Sequence, residues 1–148
     1  MNKDNLSVCG TLSYVLFNKN GECIDSGTTT NGVTNVGLNQ IVSRLKDASA
    51  GVVTHVAVGT DNTAFSVAQT ALGAEVGRVA TASTTVLANK ITWVANFPAG
   101  TGTGSLNEVG LFNAGVAGDM YNRALFALTI NKGPSDTLQV TWDLTVSN

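Results

Sequence analysis

The sequence predicts a mainly β protein, an antiparallel β-sandwich of jelly-roll type with one short α-helix, in which residues 1–148 form a single domain. Three observations support this fold class. Seven or eight short segments rich in β-branched and aromatic residues are separated by turns that contain Gly, Asn or Asp. Two of these segments alternate between apolar and polar residues, which is typical of antiparallel sheets with one solvated face. Only one segment has helical periodicity.

The chain begins with a predicted β-hairpin. Residues 8–17 (VCGTLSYVLF) are rich in strand-forming types, and residues 22–26 can return as the partner strand. Residues 18–21 (NKNG) connect them, because Asn and Gly tolerate the positive φ that tight hairpin turns require. Residues 27–33 are predicted to be a loop or a ragged edge strand.

Two cysteines, Cys9 and Cys23, are too few for a disulfide framework. In the predicted hairpin Leu16 lies opposite Cys23, and Cys9 lies opposite residue 30 or its neighbours. This register separates the two thiols. Both cysteines are therefore expected to be reduced and to act as small apolar residues.

The one predicted helix spans residues 35–46. Its apolar residues follow helical spacing and form a single stripe, which the sequence predicts to lie against the sheet and to close one end of it. Thr34 or Asn35 can cap the start, and Lys46 lies at the end where a cation is favoured. The stripe consists of Leu38, Ile41, Val42 and Leu45.

The rest of the chain is predicted to be β-structure, after a long loop at residues 59–70. The predicted strands are residues 53–58, 76–82, 89–97, 106–112, 123–130 and 137–146. In the strand 89–97 the residues Ile91, Trp93, Ala95 and Phe97 share one face, and in 137–146 Leu138, Val140, Trp142, Leu144 and Val146 share one face. The predicted core therefore includes Trp93, Trp142, Phe97, Phe112 and Leu144.

Composition limits the classes of function. Only 12% of residues are charged while 43% are hydrophobic, against about 25% charged in an average protein. A surface with so few charges suits a subunit of an assembly, and it equally suits a soluble domain with a Thr-rich β surface. The basic residues are scattered, which argues against nucleic-acid binding. No run approaches the roughly 18 apolar residues of a membrane span, and residues 1–10 lack the apolar core of a signal peptide.

No constellation of residues predicts catalysis, a cofactor or a metal ion. His55 is the only histidine, so a zinc site or a catalytic triad lacks its usual partners. Residues 100–104 (GTGTG) lack the Lys and the following helix of a phosphate loop. Asp61 and Asn62 offer two oxygen ligands where calcium requires six to eight. These segments are interpreted as a strand histidine and two turns.

One carboxylate is predicted to be buried. Glu108 shares strand parity with Leu106 and Phe112, so it points inward, where an unpaired charge is costly. Arg78 or Arg123 is the expected partner in a structural ion pair. The alternative is a catalytic carboxylate pair formed by Glu108 with Glu75, although no polar aromatic cleft residues accompany these acids.

Read along its whole length, the chain resembles structural proteins of tailed-bacteriophage virions, both head decoration proteins and tail or fibre components. The similarity is carried by the hairpin turn and by short motifs spread along the sequence. These are NGVTNVGL at 31–38, VAVGT at 56–60, TALGAE at 70–75 with Arg78, NEVGLF at 107–112 and the closing strand 138–146.

This resemblance implies a non-enzymatic virion structural protein that is assembled in the host cytoplasm and has no catalytic residues. Its expected partners are copies of itself, as a trimer, and the major capsid protein or other virion proteins. The first expectation is a decoration or cement protein that stabilises the capsid from outside. A tail, baseplate or fibre component, or a carbohydrate-binding module at a fibre tip, is the alternative. The predicted burial of both tryptophans counts against carbohydrate binding.

Overall fold

The computed structural model describes residues 5–148. The interpretation of residues 1–10 as lacking a signal peptide therefore falls in part on residues 1–4, outside the described residues. Nine strands and one helix occur in the described part. They are β1 (Ser7–Phe17), β2 (Cys23–Thr30), β3 (Gly32–Val33), α1 (Asn35–Lys46), β4 (His55–Gly59), β5 (Glu75–Leu87), β6 (Lys90–Phe97), β7 (Gly104–Phe112), β8 (Met120–Lys132) and β9 (Thr137–Ser147).

The nine strands form one open antiparallel sheet in the order β2-β1-β9-β6-β5-β4-β7-β8-β3. A mainly β fold with a single short helix is therefore confirmed. Strand β5 joins the two halves of the sheet. Its residues 75–80 pair with β4, and its residues 81–87 pair with β6. A bulge between Thr81 and Ser83 marks the change of partner, because a bulge bends a strand and alters its twist.

The main hydrophobic core receives side chains from both halves of the sheet. Trp142 and Phe97 come from one half, and Leu106 and Ile130 from the other. Tyr14 on β1 meets Phe126 on β8 edge to face, with ring centroids 5.4 Å apart. Both halves of the sheet therefore contribute to one core. Each of the residues expected in the core is buried, namely Trp93, Trp142, Phe97, Phe112 and Leu144.

A smaller apolar cluster lies on the opposite face of the β4-β7-β8 half. On β4, Val56 and Val58 belong to the main core, whereas Ala57 between them belongs to the smaller cluster. Successive strand residues point to opposite faces, so the two clusters lie on either side of this half. The smaller cluster consists of Ala57, Leu72, Phe112 and Met120.

Helix α1 has the predicted bounds and begins with the predicted cap. Thr34 Oγ1 accepts a hydrogen bond from Gly37 N at 3.0 Å, which satisfies one of the free amides of the first turn. The last turn carries Arg44 and Lys46, where positive charge is favoured. The existence, extent and start of the helix are thus confirmed.

The prediction that the apolar stripe of α1 packs on the sheet is wrong for three of its four residues, and only Ile41 is half-buried. The exposed fraction is 42% for Leu38, 66% for Val42 and 82% for Leu45. The helix instead buries Gly37, whose bare backbone lies so close to Tyr121 O of β8 that a Cβ would collide with that oxygen. Leu38 follows Gly37 by about 100° around the axis, so the stripe is rotated away from the sheet.

The N-terminal hairpin differs from the prediction in register. A bulge between Leu16 and Phe17 places Phe17 opposite Cys23 and Leu16 opposite Asp25, so the predicted Leu16–Cys23 pair is wrong. Strand β2 ends with Thr30 opposite Thr11, so Cys9 has no partner on β2; on the other side of β1 it pairs with Thr145 of β9. Both thiols are free and exposed, so neither contributes a buried apolar side chain.

Several strands are longer than predicted. Residues 27–33, expected to be a loop or ragged edge, extend β2 to Thr30 and add the short β3. Strand β5 runs to Leu87, five residues past the predicted end at 82. No helix within residues 5–148 is both long enough and apolar enough to span a bilayer.

Candidate functional site

A fully buried ion pair connects two neighbouring strands. Glu108 on β7 and Arg123 on β8 are both completely shielded from solvent. Arg123 Nε donates to Glu108 Oε2 at 2.9 Å. Of the two partners that the sequence suggested, Arg123 is the one the fold brings to Glu108. Arg78 pairs with Glu75 instead.

Glu108 lies on the outer face of the sheet and not in the main core. The sequence argument placed it on one face with both Leu106 and Phe112. A bulge between Leu106 and Glu108 shifts the alternation by one residue, so Leu106 faces the main core while Phe112 joins the smaller cluster. Glu108 shares the outer face with Phe112.

The Glu108 carboxylate also holds the backbone of the Ala-Leu-Gly-Ala-Glu segment. Gly73 N donates to Oε2 at 3.0 Å, and Ala74 N donates to Oε1 at 2.8 Å. With the guanidinium of Arg123, three donors converge on one buried carboxylate. Such satisfaction is what makes a buried charge tolerable, because an unpaired one carries a large desolvation cost.

Arg123 anchors the residues that precede this segment. We call the whole stretch of residues 60–74 loop 60–74. Arg123 Nη1 donates to Thr63 O at 2.9 Å and to Gln69 Oε1 at 3.3 Å. Its Nη2 reaches Asp61 Oδ2 at 3.4 Å, where the carboxylate is partly exposed. The ion pair therefore fastens loop 60–74 over the outer face of the sheet at both of its ends.

Arg78 performs a similar task at a second loop. Its guanidinium binds Glu75 through two hydrogen bonds, at 2.9 and 2.6 Å, and lies 3.7 Å from the ring centroid of Phe112. Its Nη1 also donates to the carbonyl oxygens of Ala114 and Ala117. Glu75 and Glu108, suggested as a catalytic pair, are thus each engaged by a different arginine.

Lys132 is a buried charge that the sequence did not reveal. Its Nζ donates to Pro98 O at 3.0 Å and to Asp136 O at 2.7 Å, and the side chain is almost fully buried. Burial lowers the pKa of Lys132, and the nearby carboxylate of Asp136 raises it in part. Its role is to hold the turn after β8, and no spacing or alternation rule points to such a contact.

The outward side of α1 is the second candidate site. Two polar residues attach the helix to neighbouring loops: Gln40 Nε2 donates to Asp119 Oδ2 at 2.8 Å, and Arg44 Nη1 donates to Ala50 O at 2.9 Å. Leu38, Val42 and Leu45 remain on the solvent side, and we call these three residues the helix face. An apolar stripe that the fold leaves exposed on a stable helix is a feature of interaction surfaces.

The remaining candidate residues have local structural contacts. His55 Nδ1 and Thr54 Oγ1 are 2.8 Å apart, and the half-buried imidazole lies against Gly115. Asp61 accepts from Thr63 and Arg123, and Asn62 is exposed in loop 60–74. Across residues 5–148, no three or more His, Cys, Asp or Glu side chains are grouped so as to hold a metal ion.

The sequence was also compared with models of known protein families and with curated proteins, and it matches none of them.

Proposed function

We propose that this protein is a non-enzymatic virion structural protein, a capsid decoration or cement protein that binds the outer shell and stabilises it. The helix face is the single observation that carries the proposal. Leu38, Val42 and Leu45 lie on a well-capped helix, on the side away from the sheet, and each is at least 42% exposed.

The helix face has the properties of a docking surface. Its position follows from the contact of Gly37 with β8, so the fold holds three apolar side chains outward in a defined arrangement. Fully burying one such side chain against a partner gains about 1.5–3 kcal/mol. Charged residues make up only 12% of the chain, so little electrostatic repulsion opposes close packing against a neutral shell.

The virion setting rests on the resemblance of short sequence motifs to those of phage structural proteins. In that setting the protein forms a homo-oligomer, a trimer placed on symmetry points of the capsid, and binds the major capsid protein. Residues 60–69 and 100–104 supply further neutral contacts. Many copies on one lattice reinforce each other, so each interface needs only modest affinity. The physical task is to clamp neighbouring capsid subunits against the pressure of the packaged genome.

We propose further that the sheet is a β-sandwich of jelly-roll type. Support comes from the main core, to which both halves of the sheet contribute, and from the edge-to-face contact of Tyr14 with Phe126 across it. Strand β5 passes from one half to the other at the bulge after Thr81, as corner strands do in such folds.

Particles that lack this protein test the proposal. They are expected to lose their genome at a lower temperature than complete particles do. As the salt concentration is reduced, they are also expected to lose it sooner, at a salt concentration that complete particles still withstand. Added purified protein is expected to restore resistance. Particles that withstand heat and low salt equally well without the protein contradict a cementing role. If the protein is then found only at the tail, the tail or fibre alternative replaces it.

A pair of variants tests the docking surface. Val42→Glu places a charge on the helix face, whereas Ser43→Glu places the same charge on the next, polar and exposed residue of the same helix. Val42→Glu is expected to abolish rebinding to depleted particles, and Ser43→Glu is expected to rebind like the unchanged protein. Equal rebinding of both variants means that another surface carries the contact.

A further inference from the structure

The C-terminal part of β5 forms a bare edge of the sheet. Residues 83–87 pair with β6 on one side, from Ser83 opposite Val94 to Leu87 opposite Lys90. The pairing of β5 with β4 stops at Ala80, and the last contact on that side is the bond from Thr81 N to Thr54 O. Past the bulge, no other strand of the described chain lies on that side of β5. We call residues 83–87 the β5 edge.

The hairpin geometry identifies which backbone groups point out of this edge. Ala88 and Asn89 form a two-residue turn, so Leu87 and Lys90 are a hydrogen-bonded pair. Alternation then makes Thr85 and Ser83 the next residues bonded to β6. The N–H and C=O groups of Thr84 and Val86 consequently point away from β6, and no hydrogen bond within residues 5–148 engages them.

This edge has none of the usual protection. Natural edge strands are blunted by charges, proline or a covering segment. Residues 79–89 contain no charged residue and no proline. Residues 83–87 are exposed on both faces, with Val86 at 70% and Leu87 at 76%. By contrast, the first half of β5 is covered at Gly77, whose backbone lies against that of Gly102.

We propose that the β5 edge is a self-association site, where it pairs antiparallel with the same edge of a second copy about a two-fold axis at Thr85. The outward groups determine this register, because Thr84 must lie opposite Val86 of the other copy for both to bond. Each copy then donates from Thr84 and Val86 and accepts at the same residues. Such a contact is self-complementary, as two-fold interfaces require.

The chemistry of the segment favours a second copy as the occupant. A neutral segment meets its own copy without opposing like charges. Thr85 lies directly opposite Thr85 of the other copy, and Val86 lies opposite Thr84, which are favourable β-branched cross-strand pairs. Two sheets join into one across the axis, and the exposed sides of Val86 and Leu87 gain neighbours.

This inference does not depend on the virion setting. It describes a two-fold contact through backbone groups of the free protein, distinct from the contacts assigned above to residues 60–69 and 100–104 in the capsid-bound trimer. Failure of the particle experiment leaves it intact, and its own failure leaves the particle experiment unaffected.

The first test removes one outward N–H. Val86→Pro deletes a donor that the single copy does not use, and proline is tolerated where a strand N–H points out of an edge. Val86→Thr is the matched control, because it keeps the N–H and the β-branched shape. Sedimentation velocity over a range of concentrations is expected to show dimers for the unchanged protein and Val86→Thr. Val86→Pro is expected to show half that mass.

The second test uses charge. Thr85→Lys and Thr85→Glu each place like charges opposite one another on the axis, and each is expected to be monomeric alone. An equal mixture of the two is expected to form a dimer, since opposite charges then meet. This restoration separates loss of pairing from loss of folding.

Hydrogen exchange provides the residue-level readout. The amides of Thr84 and Val86 are expected to exchange more slowly at high protein concentration than at low concentration, while exposed amides elsewhere do not change. The proposal is overturned if the unchanged protein is monomeric throughout, if the Lys and Glu variants do not restore each other, or if a trimer forms with both amides unprotected. The last result would assign self-association to the loops.

Discussion

Loop 60–74 and the helix face relate sequence to burial in opposite ways. The loop is fastened by the fully buried charges of Glu108 and Arg123, although charged side chains are almost always exposed. The helix face is apolar, yet most of its surface meets solvent. Hydrophobicity alone therefore does not say which side of an element the protein covers. Backbone contacts decide which side is covered. In the loop, the amides of Gly73 and Ala74 need the Glu108 carboxylate as an acceptor. In the helix, Gly37 allows the backbone to approach β8 closely.

Replacing the arginine of the buried pair that holds loop 60–74 is expected to cause the largest loss of stability. Arg123→Met leaves the Glu108 carboxylate buried without its cation and is expected to lower the free energy of unfolding by about 3–5 kcal/mol. Lys90→Met is the control, because its ion pair with Asp143 is partly exposed and such pairs contribute about 1 kcal/mol or less. Urea unfolding measures both losses, and equal losses contradict a larger contribution from the buried pair than from the exposed one.

A comparable loss is expected in the main core. Trp142 is completely buried, and Trp142→Ala is expected to cost about 3–5 kcal/mol through lost burial and the cavity left behind. Leu128 on β8 is 77% exposed, so Leu128→Ala is expected to change stability by no more than about 0.5 kcal/mol. An unchanged melting temperature for Trp142→Ala would mean that this side chain is not packed as described.

The attachment of α1 is expected to show an intermediate effect. Thr34 is buried, caps Gly37 N and donates to Met120 O at 2.6 Å. Thr34→Ala is expected to cost about 1–2 kcal/mol, while Thr34→Ser keeps the hydroxyl and recovers most of it. Thermal unfolding followed by circular dichroism measures both. If Ser is as damaging as Ala, the hydroxyl bonds are not the stabilising element.

The helix face itself is expected to contribute least to stability. Leu45→Ser removes an 82% exposed side chain and is expected to change the free energy of unfolding by no more than about 0.5 kcal/mol. Ile41→Ser, on the half-buried flank of the same helix, is expected to cost more. If Leu45→Ser proves the more damaging of the two, the helix packs in the opposite orientation.

Most of the elements could be predicted from local pattern, and two of the errors fall at bulges. The helix bounds, the Asn-Gly hairpin turn and the inward faces of β6 and β9 follow from spacing and turn chemistry. The register of β1 with β2 and the face of Glu108 do not, because one extra residue in a strand inverts the alternation after it. The pattern of apolar and polar residues in a strand does not predict where such an extra residue occurs.

The sequence predicted the acid of the buried ion pair but did not decide between its two possible arginine partners. Parity suggested that Glu108 points into the protein, and the cost of an unpaired charge suggested an arginine partner. The choice of Arg123 over Arg78 depends on β7 and β8 being neighbours in the sheet, with Gly110 opposite Arg123. The Gly73 and Ala74 amides as further partners depend on the path of a loop that has no regular pattern.

The sequence by itself determined the strand-rich character, the single helix with its threonine cap, and the apolar faces that build the main core. Local backbone preference and side-chain period govern these features, and both are encoded within a few neighbouring residues. Only the tertiary structure decided which side of α1 meets the sheet, which arginine neutralises Glu108, and that β5 runs past its last β4 contact to end as a bare edge. Each of these depends on contacts between segments far apart in the chain.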